Sequence, residues 1–247
     1  MPLTLVQSAT QALKQTKSHL LPYDQALAEI LKRLIGTPMT NKQLLLLVAA
    51  MYSLIVPGRQ AQLGVADTLA KASAEAVGIK DLTIPTTDPL YPMAATTALV
   101  KRTIVDRLRA GKRSILIPQD ADMTAAAANR HIRQAGRDRI LQSVGSDDRV
   151  QGWARMGTGL EKCAFCDLLI SRGPVYRSLE TASFTSHDNC DCIAVPVLNK
   201  RDWAGKDHAD ELYKQWQSVT EGYSGADAIN AWRRHRESLT PATQVAA

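Results

Sequence analysis

All four cysteines of this chain fall between residues 163 and 192, and that clustering limits its fold more than any other feature. Cys163 and Cys166 stand in CAFC. Cys190 and Cys192 close HDNCDC, which His187 opens. Two thiols two residues apart can turn inward from one tight knuckle, and a second short group of His and Cys can complete the tetrahedral set that Zn²⁺ accepts. Five candidate metal ligands, Cys163, Cys166, His187, Cys190 and Cys192, compete for the four corners of such a site. One of His187, Cys190 and Cys192 is therefore spare or lies behind the ligands. Two other readings stay open. A pair of disulfides needs an oxidising compartment, or a particle released into one. Four ordinary buried thiols are the blandest reading, since free Cys is among the most buried residue types, but chance clustering of every cysteine argues against it. One structural zinc ion is the expectation.

Around that stretch the chain is long enough to bury a sizeable core in one or two domains. Apolar residues make up 45% of it, which excludes a disordered chain. Before residue 145 they are mostly Ala, Leu, Ile and Val, a composition suited to helices packed on helices. The net charge of +6 favours a polyanionic neighbour such as nucleic acid, though weakly. Without an apolar run near eighteen residues, no membrane span is expected. The opening MPLTLVQSATQALKQ lacks a signal-peptide pattern, so synthesis in a cytoplasm that keeps thiols reduced is expected, which favours metal over disulfides.

The expected fold class is α+β: a mainly helical N-terminal region with a small Cys/His-stapled α+β module near the C-terminus. Residues 1–78 read as helices. One spans residues 3–20 and stops at Pro22; a second runs from Tyr23 to Ile35. Thr40 caps a third through LLLLVAAMYSLIV, ended by Pro57-Gly58, and a fourth runs from Gln60 to Val77 with Gly78 as its C′ glycine. Residues 79–93, with Pro85, Pro89 and Pro92, read as a connector. Residues 94–148 form a basic helical region in which Asp120 opens the second helix. Its Lys101, Arg102, Arg107, Arg109, Arg130, Arg133 and Arg137 are candidate nucleic-acid contacts, set against the plainer reading of a solvated charged face. His131 reads as an exposed or hydrogen-bonded helix histidine. Residues 149–198 hold the Cys/His module, with strands at Val150–Arg155, Val175-Tyr176 and Ile193–Leu198, and Pro196 marking an edge. Residues 199–247 read as two helices, Lys206–Thr220 and Ala226–Leu239, and a frayed tail.

No enzyme constellation stands out. Phosphate-binding and dinucleotide glycine loops are absent, as is a nucleophile elbow. The zinc deaminases place H-x-E ahead of P-C-x-x-C; here the CxxC comes first and His187 is followed by Asp188-Asn189. Four soft ligands point to a closed site, so an enzyme is not expected; a nuclease or transferase remains the least favoured reading.

The stretch GWARMGTGLEKCAFCDLLISRGPVY, followed by HDNCDCIAVPV, resembles the Mu F-like minor head proteins of tailed bacteriophages, in the form common in phages of actinobacteria. The residues that carry the resemblance are Gly152 to Arg155, Cys163, Cys166, Leu169, Arg172, Gly173, Val175, Tyr176, His187, Cys190, Cys192 and Pro196. It covers about residues 149–198. It implies a minor capsid protein, made in the host bacterial cytoplasm and carried in the virion inside the head near the portal vertex. There it would act in head assembly, with the portal and major capsid proteins as partners and packaged DNA as a possible contact. The alternative is a zinc-stapled nucleic-acid-binding protein.

Overall fold

A computed structural model describes residues 3–85, 90–157, 164–175, 183–188 and 190–239. Two long helices open the fold, α1 (Leu5–Leu34) and α2 (Asn41–Ala76). After the connector, α3 (Met93–Val100) passes through a π-helical turn (Lys101–Val105) into α4 (Asp106–Ala110), and α5 (Pro118–Ser146) follows. Strand β1 (Gly152–Met156), α6 (Ala164–Ser171), β2 (Ile193–Val197), α7 (Lys206–Val219) and α8 (Gly225–Ser238) complete it. The architecture is α+β, mainly helical, with one small sheet near the C-terminus.

The helix starts and stops follow local chemistry. Thr40 caps α2 in a capping box with Gln43. Gly78 sits at φ +83° and donates to Glu75, while Ile79 donates to Ala74, the paired bonds of a Schellman ending that the left-handed glycine permits.

Two expected breaks do not occur. Pro22 lies inside α1 and Pro57 inside α2. A mid-helix proline costs about 3 kcal/mol, yet both helices keep one buried stripe in phase across it. In α1 that stripe is Ala9, Ala12, Thr16, Leu20, Leu27 and Leu31; in α2 it runs through Met51, Ile55, Gly58, Gln62, Ala66 and Leu69. Each fully buried large aliphatic side chain contributes about 1.5–3 kcal/mol, so packing on both sides outweighs the lost hydrogen bond. The continuous α2 is also long and apolar enough to cross a bilayer by length and composition, contrary to the sequence reading. Its stripe instead packs against α1 and α5.

Glycines let α2 and α5 approach closely. A Cβ on Gly58 would meet Ile132 at 3.0 Å, and one on Gly136 would meet the backbone oxygen of Gln62 at 2.9 Å. The expected strand at Val175 is not formed, and Tyr176 lies outside the described residues, as does the tail from Pro241.

The interior divides into two main clusters. One, at the turn between α1 and α2, is aliphatic: Leu20, Leu27, Met51, Ile55, Leu99, Ile104, Leu116 and Ile132. The other gathers Ala9 and Ala12 of α1, Val65, Ala66, Leu69 and Ala70 of α2, Ile140 and Leu141 of α5, residues of both strands, and Trp153, Trp203 and Trp232. Cys166, Cys190 and Cys192 sit inside this second cluster, so the module shares its core with three of the long helices.

Candidate metal centre

Strands β1 and β2 pair antiparallel, with Trp153 opposite Pro196 and Arg155 opposite Ala194. Strand alternation puts Trp153 and Arg155 on one face, and both meet the ring of Phe184: Trp153 stacks at 5.4 Å and the Arg155 guanidinium lies 3.8 Å over it. Arg137, from α5, lies over the same ring at 4.8 Å.

Against this stack three ligand-type side chains converge. Cys166 Sγ, on α6, lies 3.2 Å from His187 Nε2 and 3.8 Å from Cys190 Sγ, and the three donor atoms all lie within 4.8 Å of one another. Around a tetrahedral zinc, thiolates at Zn–S of about 2.3 Å are separated by about 3.8 Å. The two sulfurs therefore already stand at a ligand edge. Cys166 and Cys190 are buried; His187 approaches from the exposed side.

The imidazole is oriented for this task. His187 Nδ1 is 2.6 Å from the backbone oxygen of Asp188. A carbonyl can only accept, so Nδ1 carries the proton and Nε2 presents its lone pair to the sulfurs. Asp188 is in turn held by Arg130, whose Nε donates to its carboxylate at 2.7 Å, with Arg102 at 3.5 Å.

Electrostatics favour thiolate at the centre. The Cys166 and Cys192 sulfurs donate toward Cys190 and, with Arg137 close by, hold its thiol far below the usual range despite burial. Cys192 goes the other way. Contact with Cys166 lowers it, but contact with Cys190 and burial raise it further. Burial pulls Arg137 down to about 10, which leaves it charged at neutral pH. It donates to the carbonyls of Cys192 at 3.0 Å and Cys190 at 2.7 Å. Arg155 donates to Thr185 at 2.6 Å and reaches Cys190 Sγ at 3.8 Å. Buried guanidiniums need anionic or carbonyl partners, and here they face thiols and the backbone that carries them. A thiolate–metal group fits that surrounding.

Of the five expected ligands, the structure brings Cys166, His187 and Cys190 together. Cys192 is buried beside them, at the entrance to β2. Cys163 lies outside the described residues. The α6 helix is anchored from behind: Trp232 of α8 donates to the Ala164 carbonyl at 2.9 Å, and Arg236 pairs at 2.6 Å with the buried Asp167, next to Cys166.

The candidate phosphate contacts separate into groups. Arg137 is 2% exposed and serves the Cys190–Cys192 backbone, so it is not available to a polyanion. Arg133 is largely buried near Asp24, Asp191 and the two cysteines. Arg107, with Arg113, is paired to the fully buried Asp120, which also accepts from the Ile117 backbone at the start of α5. Lys101 and Arg109 are exposed around Asp106. Arg102 and Arg130 flank Asp188. A wholly solvated face on α5 is thus corrected as well. The available signal was spacing: Arg130, Arg133 and Arg137 fall at i, i+3 and i+7, one helix face aimed at one target. His131 is hydrogen-bonded, with Nδ1 2.8 Å from the Tyr91 hydroxyl. Sequence reasoning missed Phe184, Arg155 as a cation beside sulfur, and the anchoring by Trp232 and Arg236.

Among known proteins, the chain is 32% identical to the Gene 15 protein of Mycobacterium phage D29, over 44% of this chain and 56% of the relative. It is 31% identical to the Gene 15 protein of Mycobacterium phage L5, over 42% of this chain and 49% of the relative. The chain therefore spans about half the length of the curated relatives it matches. No solved structure matches it. The family model described as VG15 protein matches residues 83–219, more than half of the chain and the whole of the Cys/His stretch, and the chain belongs to this VG15 family, a family of phage proteins.

Proposed function

We propose that this protein is a non-enzymatic minor component of the phage head, of the Mu F-like kind, whose Cys/His end is locked by one structural zinc ion. One observation carries the reading. The separated motif elements of residues 152–155, 166 and 187–196 converge in space on a single donor set of Cys166, His187 and Cys190. The fourth corner falls to Cys163 or to Cys192, which lies behind the set. A buried, guanidinium-flanked site of this kind suits a staple, since closed thiolate-rich sites supply folding free energy directly. The VG15 membership supports a phage role. Placement inside the head, near the portal and major capsid proteins, comes from the motif resemblance.

The test is mass spectrometry of purified virions from a phage that encodes the protein, with metal analysis of the isolated full chain. Recovery in the particle at low copy number and one zinc per chain are expected. Absence from intact virions would remove the head assignment. A chain free of metal, with Cys166 and Cys190 disulfide-bonded, would remove the zinc.

A further inference from the structure

A cleft of about 400 Å³ opens between the N-terminal part of α3, the middle of α5 and residues 183–188, lined by Arg59, Tyr91, Arg130, His131, Gln134 and Ser186 among others. We propose that this cleft binds a phosphoryl oxyanion, with Arg59 and Arg130 supplying the charge and the Tyr91, Gln134 and Ser186 side chains the polar wall. The inference does not depend on the virion reading.

Three guanidiniums, Arg59, Arg102 and Arg130, meet two carboxylates here. Asp188 takes Arg130 Nε at 2.7 Å and lies 3.5 Å from Arg102; Asp138 faces Arg59 and accepts from Gln134. The positive side dominates at His131. Burial, then Arg130, Arg59 and Arg102, bring its imidazole down to about 4 against the opposing pull of Asp188. It therefore stays neutral and serves as the partner of the Tyr91 hydroxyl.

Arg130 spends only its Nε on Asp188, and its two Nη groups form no hydrogen bond among the described residues. Arg59 is fixed by one bond to the His131 carbonyl at 2.6 Å and by its seat 4.8 Å over the Tyr91 ring. A guanidinium held in place with free N–H groups is pre-organised for the forked recognition of a phosphate. The neighbouring π-helical turn at Lys101–Val105 is a backbone feature often found beside functional sites.

The phosphoryl group can belong to a nucleic acid strand or to a small anion, and the experiment separates them. The full-length protein is titrated with inorganic phosphate by calorimetry and with a fluorescein-labelled single-stranded DNA by anisotropy, at low and moderate salt. Arg59→Gln and Arg130→Gln are measured alongside, with thermal melts to show that each is folded. Binding of the DNA that each variant weakens about tenfold, with a salt slope reduced by about 0.7 per lost contact, identifies a polynucleotide phosphate. Binding of phosphate alone, weakened in the same way, identifies a small anion. Should Arg130→Gln unfold through loss of its Asp188 contact, Arg59→Gln decides, because it leaves that pair intact. The proposal is overturned if neither probe binds at low salt, or if a folded variant binds as the wild type does.

Discussion

At the α1–α2 turn the interior is Leu20, Leu27, Leu31, Met51, Ile55, Ile104 and Ile132, with the ion-paired carboxylate of Asp120 buried at its margin beside Ala121. At the opposite end Trp153, Phe184 and Trp232 pack beside Cys166, Cys190, Arg137, Arg155 and Asp167, all of them buried. Aliphatic packing is spread over many contacts and gives way gradually when one is lost. A centre of buried charge and sulfur has few parts, and each leaves an unmet partner when removed. The helical end should therefore weaken by degrees, and the Cys/His end should fail as a unit.

Cys166→Ser tests that contrast most severely. Loss of bound metal is expected, together with loss of the near-ultraviolet tryptophan signal, while most of the far-ultraviolet helical signal persists. Structural zinc sites contribute on the order of 10 kcal/mol in small domains, so the fall in denaturant midpoint should be the largest in the series. Simultaneous loss of all helix would show that the two ends form one cooperative unit. Ile55→Ala comes next, at about 3 kcal/mol for a fully buried aliphatic truncation. Metal content should stay unchanged, and a metal-free product would break the distinction. For Arg137→Met the expected cost is about 2 kcal/mol, from leaving the Cys190 and Cys192 carbonyls without their donor. Competition with a chelator should show metal affinity about tenfold lower; unchanged affinity would mean that the guanidinium only packs.

The smallest effect is expected at Asp120, on the helical side. Burial alone would raise its carboxyl, but bonds from Arg113 and Arg107 and the Ile117 N–H lower it below the ordinary value. A carboxyl with a lower pKa in the folded state stabilises above the unfolded value of about 3.9 and loses that contribution as pH falls. Asp120→Asn should therefore melt below the wild type at pH 7, and the gap should close below about pH 4. A gap that persists in acid would point to packing instead.

The centre was partly legible because CxxC and HxxCxC are short-range patterns whose chemistry is local: Cys166, His187 and Cys190 were among the five residues that spacing named, but spacing could not choose between His187, Cys190 and Cys192. Gly78 and Thr40 were legible for the same reason, since caps are decided within one turn. Pro22 and Pro57 misled, because whether a helix survives a proline depends on what its two flanks bury, and that is fixed by distant residues such as Ile132. Arg137 misled through its charge. A cation reads as exposed until the carbonyls that receive it are known, and those belong to a segment more than fifty residues away. Phe184 gave no local sign at all.

The division of α1 between the two interiors has a consequence for synthesis on the ribosome. Ala9 and Ala12 belong to the tryptophan-rich cluster, while Leu20 and Leu27 belong to the aliphatic one. As translation proceeds, the second half of α1 can find α2 and α5 early. The first half meets Val65, Ala66 and Leu69 of α2 and Ile140 of α5 as well, but gains Ile193 and Ala194 of β2 only later. Part of the apolar stripe thus stays uncovered until β2 has been made, which is also when the donor set of Cys166, His187 and Cys190 is complete.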